Sequence, residues 1–237
     1  MIRVAAVADV HMAPDARGTL HDAFARLPEV ADVLLLAGDL TRLGTEEELQ
    51  VLLDELEGAT VPQFAVLGNH DYESDRADAL VKLLDSAGIA VLEGDSVVLH
   101  VDGQSVGIAG TKGFGGGFAG ACGSDFGERE MKAFVQHTRV LAHSLQDALD
   151  ALDTDVRVAL THFAPVKDTL GAERLEIYPF LGSYLLGEAI DAAGADLAIH
   201  GHAHNGAEKG VTPGGIPVRN VALPVIKTAY AVYCLGG

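Results

Sequence analysis

Phe64-Ala65-Val66-Leu67-Gly68-Asn69-His70-Asp71 is the stretch whose reading decides the fold. Four apolar residues lead into a glycine and three polar side chains, which reads as the end of a buried strand over residues 63–67. In an open α/β sheet, the carboxyl ends of the strands are where ligands bind. Asn69 offers a neutral oxygen ligand, His70 a ligand or proton donor, and Asp71 a carboxylate able to orient the histidine. The same residues also suit a plain turn, because Gly-Asn clusters punctuate loops. Partners at other strand ends decide between the two.

Such partners exist. The apolar run at residues 2–8, expected to be buried on both faces, ends in Asp9-Val10-His11. Asp9 and His11 share a face if the extended backbone continues. Val33-Leu34-Leu35-Leu36-Ala37 ends in Gly38-Asp39, and residues 156–160 end in Thr161-His162. Residues 196–199 lead into His200-Gly201-His202-Ala203-His204. Buried carboxylates and imidazoles cost free energy unless they are paired or bind metal. The strand ends carry Asp9, His11, Asp39, Asn69, His70, His162, His202 and His204, which together point to a metal centre. His200 lies inside its strand and reads as a packed histidine.

Between these strands the spacing predicts helices over residues 45–56, 75–87 and 128–152, with a shorter one over 19–27 closed by Pro28. Thr45 with Glu48 three residues on forms a capping box, so Glu46, Glu47 and Glu48 read as helix-start residues and not as a metal site. Leu80, Leu83 and Leu84 make the apolar stripe of the 75–87 helix. Strand-helix units of this kind give a parallel sheet covered by helices. Beyond residue 88 the pattern changes to hairpins, marked by Glu93-Gly94-Asp95 and Asp102-Gly103-Gln104, and three strands close the chain. No repeat or shift of composition divides residues 1–237, so a single domain is expected.

The glycine-rich segment 110–127 carries Lys112, Phe114, Phe118 and Phe126. It lacks the strand-then-helix setting and the Gly-Lys-Ser/Thr end of a phosphate-binding P-loop. A mobile loop over the site and an irregular connection both fit it.

Net charge is -18, from 34 acidic and 16 basic residues, which argues against long nucleic acid held by its phosphates. Bound cations would offset part of the local negative charge. Cys122 and Cys234 are too few and too far apart for a zinc knuckle or a disulfide framework. Met1-Ile2-Arg3-Val4 enters a strand directly, without a signal peptide, and no apolar segment approaches the ~18 residues of a membrane span. A cytoplasmic enzyme is the simplest expectation.

Asp9-Val10-His11, Gly38-Asp39, Gly68-Asn69-His70-Asp71, Thr161-His162 and Gly201-His202-Ala203-His204 resemble, in order and spacing, the five-block signature of the calcineurin-like metallophosphoesterases. The resemblance spans residues 9–204 and implies a four-layer αββα sandwich, two mixed sheets with helices outside. It implies one divalent ion held by Asp9, His11, Asp39 and His204, and a second by Asp39, Asn69, His162 and His202, with Asp39 bridging. Two such ions roughly 3.5–4 Å apart can generate a hydroxide near neutral pH and clamp the oxygens of an in-line displacement at phosphorus. Mixed nitrogen and oxygen ligands suit manganese, iron or zinc better than calcium. The resemblance further implies that His70 protonates the leaving oxygen or stabilises developing charge, with Asp71 either orienting it or capping the next helix.

Two departures narrow the resemblance. The phosphoprotein phosphatase branch has Asp-Arg-Gly soon after its Gly-Asp block and then Gly-Asn-His-Glu. This chain has Gly38-Asp39-Leu40-Thr41-Arg42-Leu43-Gly44 and Gly-Asn-His-Asp, so it looks more like the small bacterial phosphodiesterases of the cyclic-nucleotide type. Hydrolysis of phosphodiesters or small phosphomonoesters is the expected function; a non-catalytic metal-binding scaffold and a nuclease are the alternatives. Lys112, Phe114, Tyr178 and Tyr184 are the candidate substrate contacts. The expected partner is a small phosphoester, not a membrane or long nucleic acid, and association into a homo-oligomer stays open.

Overall fold

The computed structural model describes residues 1–236, and the apolar runs of the sequence become its inner strands. In chain order these are β1 (Ile2–Val7), β2 (Val33–Ala37), β3 (Gln63–Val66), β4 (Ala90–Val91), β5 (Asp95–Val101), β6 (Gln104–Thr111), β7 (Gly117–Phe118), β8 (Ala121–Cys122), β9 (Val156–Thr161), β10 (Leu197–His200), β11 (Lys209–Val211), β12 (Pro217–Asn220) and β13 (Ala231–Leu235). One sheet has the order β13-β1-β2-β3-β4, parallel except for β13, which pairs antiparallel with β1. The other has the order β11-β12-β10-β9-β6-β5, with parallel inner strands and antiparallel edges.

Side chains alternate across each strand, and both faces of both sheets are used. Val4, Ala6, Leu35 and Ala37 of the first sheet meet Ile108, Val158, Leu160 and Ile199 of the second. The opposite set, Ala5, Val7, Leu34 and Leu36, packs under Leu49, Leu52, Leu80 and Leu84 from helices Glu46–Glu55 and Ala77–Ser86. On the far side, Ala159, Ala198 and Val218 pack under Leu145, Leu149, Leu186 and Ile190 from helices Arg129–Asp150 and Tyr184–Ala193. The fold is therefore a four-layer αββα sandwich. Burial on two faces explains why β1 and β2 are continuous apolar runs without alternation.

Local chemistry sets the helix starts. The Thr45 hydroxyl accepts from the Glu48 N–H at 3.3 Å, and the Glu48 carboxylate accepts from the Thr45 N–H, closing the expected capping box. Pro28 differs from its expected role. It occupies the second position of a helical turn, Leu27–Val30, and the preceding turn is only His21–Phe24. A first-turn residue needs no N–H donor, so proline fits there. Segment 110–127 is more ordered than a bare loop: Thr111 completes β6, and β7 with β8 forms a small hairpin. No helix among the described residues is long and apolar enough to cross a membrane.

Candidate metal centre

The five blocks leave the carboxyl ends of β1, β2 and β3 in one sheet and of β9 and β10 in the other. The backbone N–H of Asp9 donates to Gly38 at 3.0 Å, and that of His11 donates to Asp39 at 3.1 Å, tying the first two ends together. Asp9, His11, Asp39 and His202 have φ of 56°, 44°, 50° and 69°. Non-glycine residues rarely take this left-handed conformation, and each costs about 1–3 kcal/mol; such strain gathers at functional sites.

Two glycines are required by close approach. A Cβ on Gly68 would strike the Asp39 carboxylate and backbone, and the next turn instead lets the His70 N–H donate to Asp39 Oδ1 at 2.8 Å. Gly38 has φ +85°, and a Cβ there would lie 2.6 Å from His162 Nδ1. Gly68 thus makes room for Asp39 more than it makes a turn.

The donor atoms converge as two groups sharing one carboxylate. Ligand atoms of Asp9, His11, Asp39 and His204 lie within 4.8 Å of one another, as do those of Asp39, His162 and His202. His204 Nε2 is 2.9 Å from Asp9 Oδ1, and His11 Nε2 is 3.5 Å from His204 Nε2 and 3.9 Å from Asp39 Oδ2. In the second group, His162 Nε2 is 3.3 Å from Asp39 Oδ1 and 3.0 Å from Asn69 Oδ1.

Carbonyl oxygens only accept, so they fix which imidazole nitrogen is free. His162 Nδ1 donates to the Ala37 carbonyl at 2.9 Å, which leaves Nε2 facing Asp39 and Asn69. His202 Nε2 donates to the Phe180 carbonyl at 3.0 Å, which leaves Nδ1 as its ligand atom. Second partners of this kind orient metal-binding histidines.

Asp39 and His162 are fully buried, and burial alone would neutralise both. Their attraction overrides it: the imidazolium of His162 holds the Asp39 carboxyl below the usual carboxylate range. Against its own burial, His162 is pulled up to about 9 by Asp39, with Asp9 adding to it. The cluster thus favours a positive charge between Asp39 and His162. Its donors, two carboxylates, one amide oxygen and four imidazoles, fit divalent transition ions. The hydrogen bond to Asp9 raises His204, burial lowers His11, and burial pushes His202 down to about 4.

The structure brings Asp9, His11, Asp39, Asn69, His70, His162, His202 and His204 together. His70 stacks edge-on against His11, ring centroids 4.5 Å apart, with Nε2 4.0 Å from Asp39 Oδ2. Asp71 neither orients His70 nor caps the next helix. Its buried carboxylate accepts from the N–H groups of Gly68 (2.8 Å), Thr41 (2.9 Å) and Leu40 (3.2 Å) and from the Thr41 hydroxyl (2.6 Å). Burial, the largest influence, raises its pKa against these bonds. His70 Nδ1 donates instead to the Arg42 carbonyl at 2.8 Å, a partner with no signature in sequence.

Of the candidate substrate contacts, Phe114 lines a cavity shared with Asn69 and His202. Lys112 is buried, its ammonium 4.4 Å from the centroid of the Tyr72 ring. Tyr178 and Tyr184 do not reach the cluster. Tyr178 packs edge-on against Phe118, and Tyr184 lines a separate cavity of about 350 Å³ with Phe118, Pro165 and Val211. Phe163 and Phe180, beside the donors, went unsignalled; adjacency to His162 and to Pro179 was their only sequence cue.

Residues 2–206 match the family model of the calcineurin-like phosphoesterases. The chain belongs to that family. This calcineurin-like phosphoesterase also resembles solved structures across its length. With phosphopantetheinyl hydrolase (PptH) from Mycobacterium tuberculosis it shares 16% identity over 98% of each chain, at a TM-score of 0.71. With TT1561 of Thermus thermophilus it shares 19% identity over 92% of this chain and 88% of that one, at 0.57. A putative 5′-nucleotidase from Staphylococcus aureus shares 16% over 92% of this chain but 48% of its own, also at 0.57. Identities this low speak for a common fold. Among curated proteins, no match was found.

Proposed function

We propose that the protein is a divalent-metal-dependent phosphoesterase acting on phosphodiesters or small phosphomonoesters. The observation that carries this is Asp39: Oδ1 faces His162, and Oδ2 faces His11. One carboxylate addressing two donor groups is what a two-ion centre requires. Asp9, His11, Asp39 and His204 would hold one ion, and Asp39, Asn69, His162 and His202 the other, with manganese, iron or zinc suited to the donors. When bound, such a pair supplies an activated water near neutral pH and neutralises charge on the phosphoryl oxygens.

The chain's own residues do the rest. The Ala37 and Phe180 carbonyls accept from His162 Nδ1 and His202 Nε2, so each histidine turns its other nitrogen toward the place an ion would occupy. His70, fixed by Arg42, presents Nε2 toward the same space and can protonate a leaving oxygen. Family membership supports the reaction class, and PptH and the putative 5′-nucleotidase are both named for bonds of phosphate compounds.

The test is hydrolysis of bis-p-nitrophenyl phosphate alongside elemental analysis. Chelation should abolish turnover, and manganese, zinc or iron should restore it. Asp39→Ala should lose metal and activity together. Full turnover by metal-free protein would overturn the reading.

A further inference from the structure

Beside the second donor group lies a cavity of about 360 Å³, lined by Asn69, Phe114, Phe134, Phe163, Phe180 and His202, with Ile177 and Leu181 completing the wall. Its size is that of a small-ligand site. Four phenyl rings from four separate segments converge there. Phe114 stands 5.0 Å from Phe134 and 5.7 Å from Phe163, centroid to centroid, and Phe163 lies 4.4 Å from the His202 ring. Anything filling this cavity sits next to the donors of Asn69 and His202. The apolar surface continues outward, since Phe180 is 60% exposed and Ile177 37% exposed at the rim. Exposed apolar surface continuous with a pocket marks a binding site more than a packing defect.

Most polar groups of this wall already have partners. The Phe180 carbonyl accepts from His202 Nε2, and the Leu181 carbonyl accepts from the Ala164 N–H at 3.0 Å. The Phe163 carbonyl accepts from the Thr161 hydroxyl at 2.9 Å, and its N–H donates to Lys112 at 3.1 Å. The Gly115 carbonyl accepts from the Thr138 hydroxyl. Asn69 Oδ1 is turned to His162. A hydroxyl pressed against the rings would lose its water, at a cost of about 1–3 kcal/mol for each group left unpaired. An aryl group would lose nothing and gain offset or edge-on contacts with the rings.

The geometry points to an aryl or similarly apolar organic arm on the phosphoester substrate, seated in this cavity while the phosphate meets the metal centre. This rests on the phosphoesterase reading above, and it makes Phe134, Phe163 and Phe180 specificity determinants.

The test uses phosphonates, which carry one organic arm and are not hydrolysed. Inhibition constants are measured for methyl-, hydroxyethyl-, phenyl- and naphthylphosphonate against metal-loaded protein hydrolysing bis-p-nitrophenyl phosphate. Direct binding by calorimetry supplies a readout apart from turnover. Phenylphosphonate should bind about tenfold or more tighter than the methyl compound, the effect one apolar group has in a hydrophobic pocket. Naphthylphosphonate should bind tighter again, with hydroxyethylphosphonate no better than methyl. In Phe180→Ala and separately in Phe134→Ala, the naphthyl-to-methyl ratio should collapse toward one. Equal constants across the series in an active, metal-dependent enzyme would overturn the pocket assignment alone. Absence of metal-dependent hydrolysis would instead overturn the phosphoesterase reading, so the two failures are distinguishable.

Discussion

His70 Nδ1 donates to the backbone carbonyl of Arg42 at 2.8 Å, so its ring is oriented by main chain and not by a carboxylate. With Nδ1 occupied, only Nε2 is free to face a substrate. His70 lies in neither donor group, and its removal should therefore leave the metal in place. For His70→Ala, metal content should equal that of wild type while kcat falls by about 10²–10⁴, the usual weight of a positioned proton donor. The loss should be larger for an alkyl alcohol leaving group than for p-nitrophenol, which departs without a proton. Elemental analysis and a leaving-group series measure both; an equal loss for the two leaving groups would mean that His70 acts otherwise.

Asp71 stands one residue away and has a different task. It gathers four donors from the ends of β2 and β3 around one buried carboxylate. Asp71→Ala would strand those donors, each at about 1–3 kcal/mol, and should lower unfolding stability by about 3 kcal/mol or more. Asp71→Asn keeps one acceptor and should lose less. In folded, metal-loaded Asp71→Asn, kcat should stay within about tenfold of wild type, far from the His70→Ala value. Denaturant unfolding and kinetics on the same preparation separate the two roles.

The strand ends were legible because a strand buried on both faces leaves an uninterrupted apolar run, and Asp9, Asp39, Asn69, His162 and His202 follow such runs closely. The role of Asp71 was not, because three of its four donors sit some 30 residues back, at Leu40 and Thr41. Only the pairing of β2 with β3 brings them together. The aromatic cavity was half legible. Phe114 stood out within a glycine-rich segment, but Phe134 comes from the long helix and Phe180 from a short turn. Neither has a periodicity that marks it. Tyr178 and Tyr184 flank Phe180 in sequence yet face other neighbours, since irregular backbone gives no rule for side-chain direction.

His200, within β10, offers a pH test. It is fully buried, with Nδ1 donating to the Gly201 carbonyl at 2.7 Å and Nε2 accepting from the Thr169 hydroxyl at 2.8 Å. Burial pushes its pKa down to about 4, against 6.5 in the unfolded chain. Between these values the unfolded chain binds the extra proton, so stability rises with pH across the window and is lost on acidification. The advantage of metal-free wild type over His200→Gln should be constant above pH 6.5 and shrink by about 1.4 kcal/mol per unit below it. Urea unfolding at pH 7.5, 6 and 5 reads this directly; a gap that widens on acidification would reverse the assignment.

Lys112 is a cation without an ion-pair partner among the described residues. Its side chain is buried, and its ammonium lies 4.4, 5.3 and 5.7 Å from the ring centroids of Tyr72, Phe114 and Phe163. Burial lowers its pKa, while the carboxylates of Glu93 and Asp39 act to raise it. Its own backbone carbonyl accepts from the N–H of His162 at 3.0 Å, which couples it to the donor cluster. Set among rings with no ion-pair partner among the described residues, the Lys112 amine is placed to meet an anion, and a phosphoester brings one. Lys112→Met keeps the apolar stem and the ring contacts while removing the charge. It should weaken inhibition by inorganic phosphate by about tenfold or more, as expected for a charged hydrogen bond, with metal content as in wild type. Unaltered phosphate inhibition would assign Lys112 to packing, with the aromatic rings as its whole environment.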